Sequence, residues 1–237
     1  MKRGQIKMTN QEFITKIGKA SQDSWKSHSI LPSLTIAQAI LESGWGKSKL
    51  TVEANNLFGM KCGTKWKGDK YTIKTREQKK DGTNYYVTAD FRKYKTWSDC
   101  CVDHGVFLSA KRYDKVRGEK NYKLACKYIK DAGYATDVNY TNLLIQLIEQ
   151  HKLNKYDEIV FTKPTATVKA NSSYNDVMWL QIKLNKLINA GLVQDGIWGD
   201  KTRRATIKYW ELLGWTIAEN GYAGTKTIRA LSENRKK

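Results

Sequence analysis

Apolar side chains along this 237-residue chain recur mostly at helical spacing, with one stretch where the period drops to two. Thr9-Asn-Gln-Glu12 has the pattern of a capping box, and Phe13, Ile17 and Ala20 follow on one face. This predicts a first helix that fades before Pro32. Leu34, Ala37 and Leu41 mark a second face, widened by Ile36 and Ile40, so a well-buried helix ended by Gly44 is expected. Asn55-Asn-Leu-Phe-Gly-Met-Lys61 then breaks the pattern and reads as irregular. Between Tyr71 and Tyr94 the period is two: Tyr85, Val87, Ala89 and Phe91 alternate, and Asp81-Gly82 is a hairpin signal, so strands are predicted near 71–78 and 84–92. With Asp81 and Gly82 as the two loop residues, Glu77 falls opposite Tyr86. Helices return with Trp97, Cys101 and Leu108, with Leu124, Ala125 and Ile129 up to Gly133, and with Tyr140, Leu144 and Leu147.

The pattern lapses over residues 155–173, which read as a linker. A second unit follows, opened by an amphipathic helix through Val177, Leu180, Leu184 and Leu187. Asp195-Gly-Ile-Trp-Gly-Asp-Lys-Thr202 is then echoed by Asn220-Gly-Tyr-Ala-Gly-Thr-Lys-Thr227. Each copy is a glycine-demanding turn that feeds a helix, through Ala205, Tyr209 and Leu212 after the first and Ile228 and Leu231 after the second. Repeated Asx-Gly turns serve backbone geometry first. Any ligand contact in this unit is therefore expected from Trp198, Tyr222 or nearby basic side chains. The division expected is a domain over 1–154, a linker over 155–173 and a three-helix domain over 174–237.

Charge narrows the partner. The chain has 42 Lys and Arg against 23 Asp and Glu, a net charge of +19, which suits a polyanion. Residues 174–237 hold 11 of the basic and 6 of the acidic side chains, so the excess is spread and no segment is a basic tail. Zinc-finger spacing, RNP-type runs and a Walker loop are missing from the sequence, which sets nucleic acid aside. Cys62, Cys100, Cys101 and Cys126 contain no CxxC pair, and His28, His104 and His151 are scattered, so reduced structural thiols are expected, with no metal and no cofactor. Met1-Lys-Arg-Gly-Gln-Ile-Lys7 is not followed by an apolar run, so neither a cleaved signal peptide nor a membrane span is expected.

Candidate chemistry centres on Glu42. It lies in the last turn of its helix, where the dipole is negative, among apolar neighbours and Trp45. Both effects raise a carboxyl pKa, which suits a general acid acting on a poor leaving group. From the helix alone, a solvated Glu on the outer face of a core helix is the default reading. Glu77 is the second carboxylate, on a hairpin able to overhang a cleft; amid Lys74, Arg76, Lys79 and Lys80 its default role is an exposed strand charge. In the irregular segment, either Asn56 and Phe58 touch a ligand or the stretch is a tight turn with Leu57 or Phe58 plugged into the core. The compact loop Tyr134-Ala-Thr-Asp137 either presents Tyr134, Thr136 and Asp137 to a substrate or packs and caps.

Five motifs occur in a fixed order: Ala37-Gln-Ala-Ile-Leu-Glu-Ser-Gly-Trp-Gly46, Asn55-Asn-Leu-Phe-Gly59, Thr75-Arg-Glu77, Phe91-Arg-Lys-Tyr94 and Tyr134-Ala-Thr-Asp137. Through them residues 9–153 resemble the bacterial cell-wall glucosaminidases, relatives of flagellar muramidases and autolysins. The resemblance implies an α+β, mainly helical, lysozyme-like catalytic domain with a β-hairpin lobe. It makes Glu42 the general acid, Glu77 the second acidic residue, Tyr134 a tyrosine at the cleavage site, and Asn56 and Phe58 cleft-lining, with Trp45 counted beside them as substrate-binding. Residues 174–233 resemble a three-helix peptidoglycan-binding module through Leu180-Gln181, Asp195-Gly-Ile-Trp-Gly199, Thr202 and Gly224-x-x-Thr227, with Asn220 where Asp is typical. Together the two parts resemble a phage endolysin, made in the host cytoplasm and released to the wall by a separate permeabilising factor. The expected activity is an endo-β-N-acetylglucosaminidase cutting the β-1,4 bond after N-acetylglucosamine in peptidoglycan. The alternatives are a muramidase or lytic transglycosylase on the same scaffold and a non-catalytic wall-binding protein.

Overall fold

The computed structural model describes residues 8–78 and 82–236, and the chain divides into two compact units, Met1–Asp157 and Glu158–Lys237. The first unit has an α+β architecture, mainly helical with one two-stranded antiparallel sheet. Helix α1 (Asn10–His28) begins with the expected box: the Thr9 hydroxyl accepts from Glu12 N–H and the Glu12 carboxylate accepts from Thr9 N–H. It buries Phe13, Ile14, Ile17 and Ala20. Helix α2 (Pro32–Ser43) is the centre of this unit. Everything from Pro32 to Ile40 is buried, polar residues included, as befits a helix covered on all sides. It ends at Gly44 with φ +55, a left-handed C-cap, and packs against α1, α5 and α6.

A short helix α3 (Lys49–Ala54) follows, which the sequence pattern does not show. Strands β1 (Lys70–Gln78) and β2 (Asn84–Arg92) form the hairpin almost where alternation placed it. The register is one residue off the expected one: Glu77 pairs with Tyr85, and Tyr86 pairs with Arg76. The strands end at Gln78 and Asn84, so five residues join them and the count outwards from a two-residue loop fails. Asp81 of the expected turn lies outside the described residues, while Gly82 has φ +85. Helices α4 (Trp97–Phe107), α5 (Tyr122–Asp131) and α6 (Tyr140–Gln150) complete the unit, with α4 on α1 and α5 paired with α6.

The expected linker does not run free at its start. Leu153–Val160 is a 3-10 helix in which the Asp157 side chain is buried and accepts from the Ser33 N–H at 2.7 Å. In the second unit Val168 is fully buried and pairs with Ala223 through N–H···O bonds of 3.0 Å in both directions. Helices α7 (Tyr174–Ile188), α8 (Asp200–Leu212) and α9 (Thr225–Ser232) form the small bundle. Its repeat is held from within. Buried Gln181 on α7 accepts from the N–H groups of Asp195 and Gly196 at 3.1 and 3.0 Å and donates to the Thr202 hydroxyl at 3.3 Å. The matching Thr227 accepts instead from the Trp210 indole at 2.9 Å. Leu212, expected on the core face, is exposed.

Candidate active site

Glu42 stands one residue before the end of α2, where the helix stops being enclosed. It lines a cleft of about 960 Å³ together with Leu41, Phe58, Arg92, Tyr134 and Tyr140 among others, a volume within the range of ligand sites. Solvent reaches Glu42 from the cleft, and by surface area the residue is exposed. Its carboxyl is nevertheless backed by protein on the other sides, and this burial raises its pKa above the usual Glu value. A hydrogen bond from the Tyr140 hydroxyl to Glu42 Oε1, 2.8 Å long, pulls in the opposite direction and is the smaller effect. The carboxyl therefore retains its proton to higher pH than a surface glutamate.

Tyr140 is in turn bonded to the helix that carries Glu42. Gln38, one turn back on α2 and fully buried, donates from Nε2 to the Tyr140 hydroxyl at 3.2 Å. Tyr134 stacks beside Tyr140, with ring centroids 5.9 Å apart and 26° between planes, and its hydroxyl lies 3.4 Å from His104 Nε2. His104 is completely buried, so its pKa falls to about 3 and the ring is neutral. Phe58 stacks on it at 3.9 Å between centroids. Phe58 thus belongs both to the core and to the cleft wall. Arg92, also in the cleft lining, is fixed by Asp103 at 2.6 Å, and the Tyr94 hydroxyl donates to the same carboxylate oxygen at 2.6 Å.

Several expected site residues gather here and others do not. Tyr134, Thr136, Asp137 and Phe58 line the cleft with Glu42. Trp45 does not: it packs edge-on against Phe13 and His151, at 5.9 and 4.9 Å, because the left-handed turn after α2 directs it there. Asn56 is buried and fully engaged. Its Nδ2 donates to the carbonyls of Met60 and Arg92, and its Oδ1 accepts from Met60 N–H, all within 2.9 Å. Asn56 is thus a brace that ties the irregular segment to the end of β2. The Glu77 backbone is the eighth residue of β1, and its side chain lies outside what the structure describes. In the second unit Trp198 and Tyr222 meet edge-to-face at 5.7 Å, which gathers the two aromatic residues expected at any ligand contact. Tyr140, Gln38 and His104 escape sequence reasoning, since each occupies a position that fits a helix core. A polar atom on the core face was the available signal.

Among the described residues no group of three or more His, Cys, Asp or Glu is placed to hold a metal ion. All four cysteines are free thiols, with Cys100, Cys101 and Cys126 buried. No helix among the described residues is long and apolar enough to cross a membrane.

A helical body with one antiparallel hairpin and an acid of raised pKa at the head of a cleft defines a lysozyme-like glycoside hydrolase domain. The chain belongs to the Glucosaminidase family, whose model, described as mannosyl-glycoprotein endo-beta-N-acetylglucosaminidase, matches residues 18–153. It is 38% identical to the exo-glucosaminidase LytG of Bacillus subtilis, over 70% of this chain and 59% of that protein. It is 32% identical to the peptidoglycan hydrolase FlgJ of Escherichia coli K12, over 60% of this chain and 47% of that one. The chain thus spans about half the length of these relatives. Among solved structures, the catalytic domain of the autolysin Auto from Listeria monocytogenes matches with a TM-score of 0.58 and 31% identity, over 65% of this chain and 91% of that one. A truncated glycoside hydrolase domain of FlgJ from Salmonella typhimurium matches with a TM-score of 0.53 and 30% identity, over 61% and 98%.

Proposed function

We propose that this protein is an endolysin that hydrolyses the β-1,4 bond after N-acetylglucosamine in bacterial peptidoglycan, with Glu42 as general acid. The observation that carries this reading is the carboxyl of Glu42 in the cleft, its pKa raised by burial. A glycosidic oxygen is a poor leaving group and needs a proton as its bond to C1 breaks. Glu42 gives that proton from one carboxyl oxygen while Tyr140 holds the other. Positive charge then builds on the departing sugar, and Glu77 on β1 either activates water from the opposite face or steadies an oxazolinium formed by the sugar's own acetamide. The net charge of +19 suits a wall made anionic by peptide carboxylates and phosphates. The second unit is proposed to hold the enzyme on that wall, with Trp198 and Tyr222 as its contact surface.

Glu42→Gln keeps shape and removes the proton; it is expected to lower turnover by about 10²–10⁴-fold on cell walls. Equal clearing by variant and wild type would overturn the assignment. Mass spectrometry of the products separates the rivals: N-acetylglucosamine at the new reducing ends is expected, whereas a muramic-acid end or a 1,6-anhydro product would mean the other linkage. LytG is named an exo-enzyme. Fragments of intermediate length early in the digest are expected here, and disaccharides from the first time point would mean exo-cleavage instead.

A further inference from the structure

We infer that Gln38 and Tyr140 form a positioning pair that fixes which oxygen of Glu42 carries the acid proton. The inference rests on Glu42 being the general acid. A tyrosine hydroxyl has one proton to give. Gln38 Nε2 donates to the Tyr140 oxygen at 3.2 Å, so the Tyr140 proton is directed away from Gln38, toward Glu42 Oε1 at 2.8 Å. Oε1 is then an acceptor, and the carboxylic proton resides on Oε2. The orientation of the Gln38 amide matters to the bond on Glu42. As placed, buried Oε1 of Gln38 lacks a partner. The flipped amide would turn its carbonyl to Tyr140 and take up the hydroxyl proton, leaving no donor for Glu42 Oε1 at 2.8 Å once Glu42 is ionised.

The pair does two things. It holds the proton of Glu42 on one oxygen, so that no rotation of the carboxyl precedes transfer. It also supplies a hydrogen bond that strengthens as Glu42 becomes a carboxylate, which stabilises the acid after it has given its proton. Gln38 and Glu42 are one turn apart on α2, and Tyr140 opens α6, so the arrangement also clamps the two helices at the catalytic end. The other titratable and charged groups around Glu42 are Tyr134 beside it, His104 behind Tyr134, and Lys61, Arg92 and Asp137 on the cleft wall. His104 is neutral, and Arg92 is bound to Asp103, so neither competes for Oε1.

The test is the pH profile of kcat on soluble peptidoglycan fragments. Tyr140→Phe keeps the ring and removes the donor to the ionised acid. It is expected to move the alkaline limb up by about one pH unit and to lower kcat about tenfold, with KM within about twofold. Gln38→Met is expected to move the limb in the same direction by less, because Tyr140 remains but its proton is no longer directed. The double variant should move no further than Tyr140→Phe alone, since both act through one hydrogen bond. An unmoved limb in Tyr140→Phe, or shifts that add, would overturn the inference. Glu42→Gln measured in parallel separates the two levels. Retained activity there removes the acid itself, whereas an inactive Glu42→Gln with an unmoved Tyr140→Phe limb removes only the pair.

Discussion

Buried ionisable side chains set how this protein responds to pH. Burial holds the Asp157 carboxyl at about 7, against 3.8 when free. Between those values the folded chain keeps a proton that the unfolded chain has released, so this group makes stability fall as pH rises from about 4 to about 7. His104 acts with the opposite sign. Its pKa drops to about 3 from 6.5, so the unfolded chain is protonated first and stability is lost as pH falls through that range. Comparing Asp157→Asn with wild type isolates the first effect, since Asn keeps an oxygen for the Ser33 N–H. Relative to wild type the variant should gain on the order of 2–4 kcal/mol between pH 4.5 and pH 8, read from denaturant melts at the two values. Parallel pH profiles would show that Asp157 stays ionised. The place of Glu42 in the cleft was legible at this scale because the residue sits at the end of an apolar helix stripe and within an ordered motif. Gln38, Tyr140 and Asp157 were not, because their partners are 102, 98 and 124 residues away in the chain. Spacing alone carries no such pairing.

Elements were legible in proportion to their length. The long helices and both strands follow their hydrophobic period to within a residue or two. Helix α3 has six residues, too few for a period to show, and the 3-10 helix at Leu153–Val160 fell inside the expected linker. The strand register failed by one residue because the length of the connection is not written in the alternation. Turn glycines give the sharpest element-scale prediction. A Cβ on Gly44, at φ +55, would meet nothing within 4 Å, so Gly44→Ala should cost only the left-handed strain of about 1–2 kcal/mol. A Cβ on Gly196, at φ +67, would stand 2.2 Å from the Tyr174 ring. Gly196→Ala should therefore destabilise the second unit by more, and Asn should rescue Gly44 far better than Gly196. Equal costs at the two positions would mean that Tyr174 moves aside freely.

At the scale of the molecule, the first unit extends past the boundary that the hydrophobic pattern marks at residue 154. The Tyr156 carbonyl accepts from Gln22, its ring covers Gly18, and Asp157 holds the start of α2. A fragment ending at Asp157 is expected to melt close to the corresponding transition of the full chain, and one ending at Asn154 several degrees lower. The longer fragment should cleave soluble fragments as the full chain does and pellet less with cell walls. Full pelleting would show that the second unit does not anchor the enzyme. The Asn56 brace has a mechanical consequence. Because it pins the base of β2 to the segment that carries Phe58, the hairpin is a lever with a fixed fulcrum. At about 3.4 Å per residue its nine-residue arms reach about 30 Å, so a tilt of about 10° at the base displaces the far end by about 5 Å. The Glu77 backbone rides near that far end and Glu42 does not, so such a tilt would move the Glu77 backbone by nearly the full displacement while leaving α2 in place.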